Sequence, residues 1–319
     1  MARDGGDTTF RARLGSHGLA MLDALVLWRD RRGRLSGLRI ATLAILLWPV
    51  LLMAIDAGRG ALGGRPLNEL IHRTGWWALV FLLASLAVTP LRRSARLAKL
   101  VDVRRMIGVA ACLYAVAHVL LFVADLKFDL LKAVVEIASR LYLTIGFVAL
   151  IALVVLGATS NDAMVKRLGG LRWRRLHQAS YVATLLALIH FFQQTKADVS
   201  VPTLYAGLFG WLMAYRLLAA WRGEAALTPL ALAALALVVS ALTFLGEGIG
   251  IALAFRQPLF EFLPQYAATL TDVSIGLRPG WSVLAAGLAV AALDALRRIG
   301  GRPKPAPAEG PIGGARRLS

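Results

Sequence analysis

Three histidines stand inside apolar runs of this 319-residue chain: His118 in the run 106–125, and His177 and His190 in the run 171–192. An ionisable side chain in such a run is costly to keep in a bilayer, and by default it marks a functional site. Two neutral imidazoles from facing helices at one depth form a ligand set for heme iron. With both axial positions filled, the iron changes charge without opening a place for substrate. Carried on membrane helices, that chemistry is electron transfer.

Depth selects the pair. Counting along ideal helices at 1.5 Å per residue, His118 lies about 18 Å past Met106, and His190 about 24 Å past residue 174. Both runs cross in the same direction, so both histidines fall in the same half of the bilayer. His177 lies only about 4–5 Å past residue 174, near the opposite surface, where a second heme has room. Read as one continuous helix, 171–192 leaves His177 and His190 about 140° apart, so a bend, a bulge or two separate hemes is needed. Small residues suit a flat macrocycle: Ala111 and Ala115 precede His118 on its face, and Ala183 and Ala187 hold the same offsets from His190. Tyr114 lies one turn from His118 and Tyr181 one turn from His177, each in reach of a ring nitrogen or a propionate. His72 precedes a span on the same side as His118 and is a propionate partner, an alternative ligand or a loop residue. The bland alternative for all of these is a histidine hydrogen-bonded to a neighbouring helix.

The helices that must carry these residues are plain in the composition. The chain is 58% hydrophobic with mean hydropathy +0.66, and several of its apolar runs are long enough to span a bilayer. Eight spans are expected, near 39–56, 75–91, 106–125, 141–158, 174–194, 202–220, 227–246 and 276–296. The fold class is an all-α polytopic membrane protein: a bundle of six core spans plus two further C-terminal ones. The domain reading follows: an arm at 1–37, cytoplasmic and with an interfacial helix or no order; a heme-binding transmembrane unit at 38–222; two additional helices at 223–299; and a disordered Gly/Pro-rich tail at 300–319. The long loop 247–275 is expected to lie against the outer face of the bundle.

The net charge of +18 does not point to nucleic acid, because the basic residues sit in short clusters between apolar runs. With eight spans, 27 of the 36 Lys and Arg fall on the side of the N-terminus and 9 on the other. The positive-inside rule then puts both termini in the cytoplasm of a bacterial inner membrane. A single cysteine, Cys112, excludes an internal disulfide, covalent heme attachment through a CxxCH motif and a cysteine-ligated iron–sulfur cluster. The stretch GEGIG at 246–250 lacks the spacing of a dinucleotide fingerprint.

The stretches HRTGWWAL (72–79), LLASLAVTPLRR (82–93), RRMIGVAACLYAVAH (104–118), RLYLTIG (140–146), TSNDAMVKRLGGLRWRRLH (159–177) and YVATLLALIH (181–190) resemble the MsrQ (YedZ) family. These are the heme-binding membrane subunits of periplasmic methionine-sulfoxide reductase systems, within the ferric-reductase-like transmembrane group. The resemblance runs from about residue 60 to 221. It implies b-type heme, one or two per chain, bound through His118, His177 and His190. It also implies a periplasmic molybdenum-containing methionine-sulfoxide reductase partner, a quinone pool or flavin reductase as donor, and FMN as a further possible cofactor. The wider group carries a second histidine fourteen residues before the equivalent of His118, and this chain has Arg104 there. Arg104, or its neighbour Arg105, is therefore a candidate to hold a propionate or orient an inner heme, since a guanidinium stays protonated and ligates poorly.

The resulting expectation is a relay. Electrons enter near the basic cluster Arg104, Arg105, Arg172, Arg174 and Arg175, which also suits a flavin phosphate, and leave on the His118–His190 side to a docked protein. Alternatives are a ferric or cupric reductase-like carrier with a separate donor, a transporter with histidines in a proton path, and a non-redox anchor. Against the transporter stand the lack of repeated halves and of an acidic residue interrupting the central spans.

Overall fold

The computed structural model describes residues 34–300, apart from 96, 98, 196, 197, 273 and 275. Most of the expected arm and nearly all of the expected tail lie outside the described residues. Twelve α-helices and no strand occur among the described residues. They are α1 (Gly37–Gly58), α2 (Pro66–Ser94), α3 (Leu100–Asp125), α4 (Leu130–Ser139), α5 (Leu141–Ala158) and α6 (Asp162–Leu168). The others are α7 (Gly170–His177), α8 (Ala179–Gln194), α9 (Ser200–Arg222), α10 (Pro229–Ala254), α11 (Leu259–Ala268) and α12 (Pro279–Gly300).

Six of these, α1, α2, α3, α5, α10 and α12, are long and apolar enough to cross a membrane. The chain is a multi-pass, all-α membrane protein. The other two expected spans are also helices, but α8 has only 16 residues and α9 is diluted by Ser, Pro, Thr, Gly, Tyr and Arg.

The organising helix is α2. It starts on Pro66, where the missing N–H costs nothing. It then packs against α3 on one side and α9 and α12 on the other, with α8 also against it. Its two faces feed two different cores. Ala78, Phe81 and Leu82 join Leu46, Met53, Ala111, Cys112, Tyr114, Leu153 and Ala183. Leu79, Leu83 and Leu86 join Trp211, Leu212, Tyr215, Leu232, Val239 and Val283. Cys112 is buried and free, a packing residue between α3 and Gly157 of α5.

Three short helices, α4, α6 and α11, arise where only loops were expected. Asp129 caps α4 by accepting from the Lys132 N–H at 2.9 Å. One α4 face, Leu130, Leu131, Val134 and Val135, stays exposed while Ala133 is buried, the pattern of a helix lying in the membrane interface. In the 247–275 segment, α11 presents Phe260 outward and Tyr266 inward.

Two sequence expectations are corrected. Residues 171–192 do not form one helix: α7 ends at His177, and α8 begins at Ala179. At Gln178 the hydrogen bonds tighten, with its N–H shared between the Arg174 and Arg175 carbonyls and its own carbonyl accepting from Tyr181. The thirteen-residue spacing therefore need not fit an ideal helix. The seventh expected span, 227–246, also runs longer, so that Glu247 lies in a helix and not in the loop 247–275. α10 runs on to Ala254 and carries Glu247, fully buried, and α12 carries Asp294, 1% exposed. Glu247 accepts from Ser200 Oγ (2.9 Å) and Tyr266 Oη (2.7 Å) and lies 3.4 Å from Arg278 Nη1. Asp294 pairs with Arg297 and Arg298. Glu247 ties α9, α10, α11 and the start of α12 together, whereas Asp294 holds its partners within α12. GEGIG is part of that joint, since Gly248 lies against Tyr266.

Candidate metal-ligating histidine pair

His118 on α3 and His190 on α8 face one another. Their ring centroids are 6.3 Å apart and their planes are nearly perpendicular, at 83°. Each ring is fixed in the same way. His118 Nδ1 lies 2.7 Å from the Ile71 carbonyl of α2, and His190 Nδ1 lies 2.7 Å from the Tyr142 carbonyl of α5. A carbonyl can only accept, so each Nδ1 carries the proton and each Nε2 keeps its lone pair. Neither Nε2 makes a hydrogen bond among the described residues.

Each bonded carbonyl sits four residues before a glycine, and the imidazole lies on that glycine. A Cβ on Gly75 would stand 2.9 Å from His118 Nδ1, and one on Gly146 would stand 2.8 Å from His190 Nδ1. Only a residue without a side chain lets the ring reach the carbonyl of the neighbouring helix. The two half-sites are thus built alike: α3 leans on α2 through Ile71 and Gly75, and α8 leans on α5 through Tyr142 and Gly146. The sequence reading missed both glycines. Their signal was a lone glycine inside an apolar run, which costs helix stability and calls for a packing reason.

The spacing fits a metal held between two imidazoles. Two metal–nitrogen bonds of about 2.0–2.1 Å, plus roughly 1.1 Å from each nitrogen to its ring centre, give a centroid separation of about 6.2–6.4 Å. Among the described residues no group of three or more His, Cys, Asp or Glu comes together, so a bare ion lacking other ligands is poorly served. A macrocycle that supplies its own equatorial nitrogens is well served by two facing imidazoles. The fixed Nδ1–H bonds set ring orientation, as outer partners of metal-bound histidine do.

The other candidates lie elsewhere. Among the described residues His177 does not meet a second imidazole: its ring stacks on Trp173 at 3.9 Å, and its Nε2 is 3.2 Å from Thr159 Oγ1. Trp173 in turn donates to the Thr159 carbonyl. Tyr114 does not reach the ring nitrogen of His118, because its hydroxyl donates to the Leu46 carbonyl of α1 at 2.7 Å. Tyr181 lies under the Arg216 guanidinium, 5.5 Å from the ring centre. Arg105 pairs with Asp162 at 2.6 Å. Arg104 lies within electrostatic range of Tyr181, Arg216 and Arg92. Exposed His72 lies close enough to act electrostatically on both His118 and His190.

Residues 74–188 match the family model of the ferric reductase like transmembrane component. The protein-methionine-sulfoxide reductase heme-binding subunit MsrQ of Rhodospirillum rubrum is 40% identical over 195 residues, which cover 61% of this chain and 91% of that protein. The subunit of the same name from Ralstonia nicotianae is 36% identical over 192 residues, 59% of this chain and 88% of that protein. That from Xanthomonas oryzae pv. oryzae is 39% identical over 184 residues, 57% and 82%. No solved structure matches the chain. With facing imidazoles on a ferric-reductase-like bundle, and relatives aligned over nearly their whole length, this chain belongs to the MsrQ family of protein-methionine-sulfoxide reductase heme-binding subunits.

Proposed function

We propose that this chain is a transmembrane electron-transfer subunit holding b-type heme between His118 and His190, and that it supplies electrons to a methionine-sulfoxide reductase catalytic subunit. The observation that carries the reading is the 6.3 Å imidazole pair with both Nδ1 atoms bonded to carbonyls. Heme with two imidazole ligands supplies a one-electron carrier with no open coordination position. The chain's own residues do the rest. Ile71 and Tyr142 hold the rings in one tautomer, Gly75 and Gly146 admit them, and the buried Ala111 and Ala183 lie on the same helix faces.

The geometry favours one such site. The partners of His177 are Thr159 and Trp173, so that end of the bundle is better read as a braced helix junction between α5 and α7. By the loop-charge argument the His118–His190 end is periplasmic, in a bacterial inner membrane with both termini cytoplasmic. His72, exposed beside the pair, then stands on the side from which a molybdenum-containing periplasmic partner would be reached. Quinol or a reduced flavin, FMN included, serves as donor from the cytoplasmic side, near Arg104. The heme unit is 38–222, and α10 and α12 are an addition packed on α9 and α2.

The test is the absorption spectrum of the purified chain, oxidised and then reduced, with heme counted per polypeptide. His118→Ala and His190→Ala should each abolish the b-type bands while helix content is retained. Full absorbance in either variant contradicts the ligand assignment. Reduced protein reoxidised by ferric chelates, but not by a sulfoxide reductase partner, would favour the metal-reductase alternative.

A further inference from the structure

At the end of the bundle opposite the histidine pair, α2, α9, the turn at 224–226 and α12 border an open cavity of roughly 470 Å³. Arg92 is twenty-one residues beyond Ile71 on α2, so the cavity lies about 30 Å from the histidine end, one bilayer core away. An interfacial marker stands beside it: Trp221 is 75% exposed, with the Arg222 guanidinium 4.5 Å from its ring.

Four arginines, Arg92, Arg93, Arg216 and Arg297, line the cavity together with Tyr215, and among the described residues Glu224 is the one acid in the wall. Arg93 is spent on Glu224, pairing with its carboxylate at 3.0 Å and donating to its carbonyl. Arg297 is held by the Arg93 carbonyl at 2.7 Å and by Asp294 at 3.4 Å. Arg216 forks onto the Leu212 and Leu86 carbonyls at 2.7 and 2.5 Å. Those acceptors are neutral, so its charge is held in place but not balanced. Arg92 makes no hydrogen bond or ion pair among the described residues. On α3, Arg104 adds a further charge, and both Arg216 and Arg92 act on it electrostatically. Like charges held together at a partly desolvated boundary repel. What completes such a cluster is an anion with several acceptor oxygens.

We propose that this cavity binds the phosphate of an anionic phospholipid headgroup, with Arg92 and Arg216 as its principal partners. Depth favours lipid over a soluble phosphate, because basic pockets between membrane helices at this level take lipid head groups. The proposal is independent of heme, and much of the wall (Tyr215, Arg216, Glu224 and Arg297) lies outside residues 74–188.

The experiment uses the full chain, delipidated in detergent. Thermal unfolding is followed against added phosphatidylglycerol, phosphatidylcholine with the same acyl chains, and glycerol 3-phosphate. Saturable stabilisation by phosphatidylglycerol alone is expected. Arg92→Gln should weaken it about fivefold, and Glu224→Gln, which frees Arg93, should tighten it. Arg256→Gln, on the loop after α10 at the other end, should change nothing. Equal stabilisation by the two lipids, or a response unchanged in both Arg92→Gln and Glu224→Gln, overturns the proposal. Stabilisation by glycerol 3-phosphate at comparable concentration, sensitive to Arg92→Gln, keeps the phosphate site and overturns lipid as its source.

Discussion

Gly75→Ala and Gly146→Ala test the site through residues that touch no metal. An added Cβ would lie 2.9 Å from His118 Nδ1 in the first and 2.8 Å from His190 Nδ1 in the second. Relief to an ordinary contact of about 3.5 Å requires each ring to move by about 0.6–0.7 Å. The Nδ1–carbonyl distances would stretch from 2.7 Å to about 3.3 Å, past the usual hydrogen-bond range. Overpacking costs about 1–3 kcal/mol, and a loosened hydrogen bond about 0.5–1.5 kcal/mol. Alanine's better helix propensity returns about 0.8–1 kcal/mol. The net loss of stability is then about 0.5–3.5 kcal/mol, small enough to leave a folded bundle. The effect on heme is larger in proportion, because removing an outer partner of a metal-bound histidine lowers affinity by about 10–100-fold. Hemin titration of the apoprotein and the redox midpoint potential are the readouts. Gly108→Ala, on α3 with its nearest new neighbour at an ordinary 3.6 Å, is the control. If both variants bind heme as tightly as the parent, at an unchanged potential, the rings do not depend on those carbonyls and the ligand reasoning fails.

Further outcomes follow from the same geometry. His177→Ala should leave the b-type absorbance per polypeptide unchanged, since the partners of this ring are Thr159 and Trp173. A loss of half the signal would restore a second heme. Tyr114→Phe should lower stability by about 0.5–1.5 kcal/mol without shifting the spectrum, because its hydroxyl holds α1 through Leu46. Glu247→Ala should cost about 3–5 kcal/mol by leaving Arg278 uncompensated. Limited proteolysis would report this as faster cleavage in the segment 255–278.

Much of the architecture was legible because apolar run length is a strong signal, and depth counted along two runs was enough to put His118 beside His190. What the sequence hid was local. The tightened step at Gln178 carries no glycine or proline to mark it. The α4 and α11 helices are too short to stand out from loop. Glu247 looked like a loop residue because its run of apolar neighbours ends early, whereas the helix continues until its carboxylate is met by Ser200, Tyr266 and Arg278. Tyr114 was near enough to His118 along the chain to suggest contact, but its hydroxyl serves a carbonyl on a different helix. The glycines carried the least visible information. Their role is to be absent at a point where another helix's side chain arrives, and only coordinates reveal who arrives.

The two-sided use of α2 has a consequence for how the C-terminal helices are held. Stripping α9 and α12 from its far face would hand Leu79, Leu83 and Leu86 to acyl chains, which solvate leucine as well as protein does. The penalty would come instead from charge: Arg93 would lose Glu224, and the Leu86 carbonyl would lose Arg216. Along α2, α9 and α12 are therefore fixed in register by guanidinium contacts at one rim: Arg93 with Glu224, Arg216 with the Leu86 carbonyl and Arg297 with the Arg93 carbonyl.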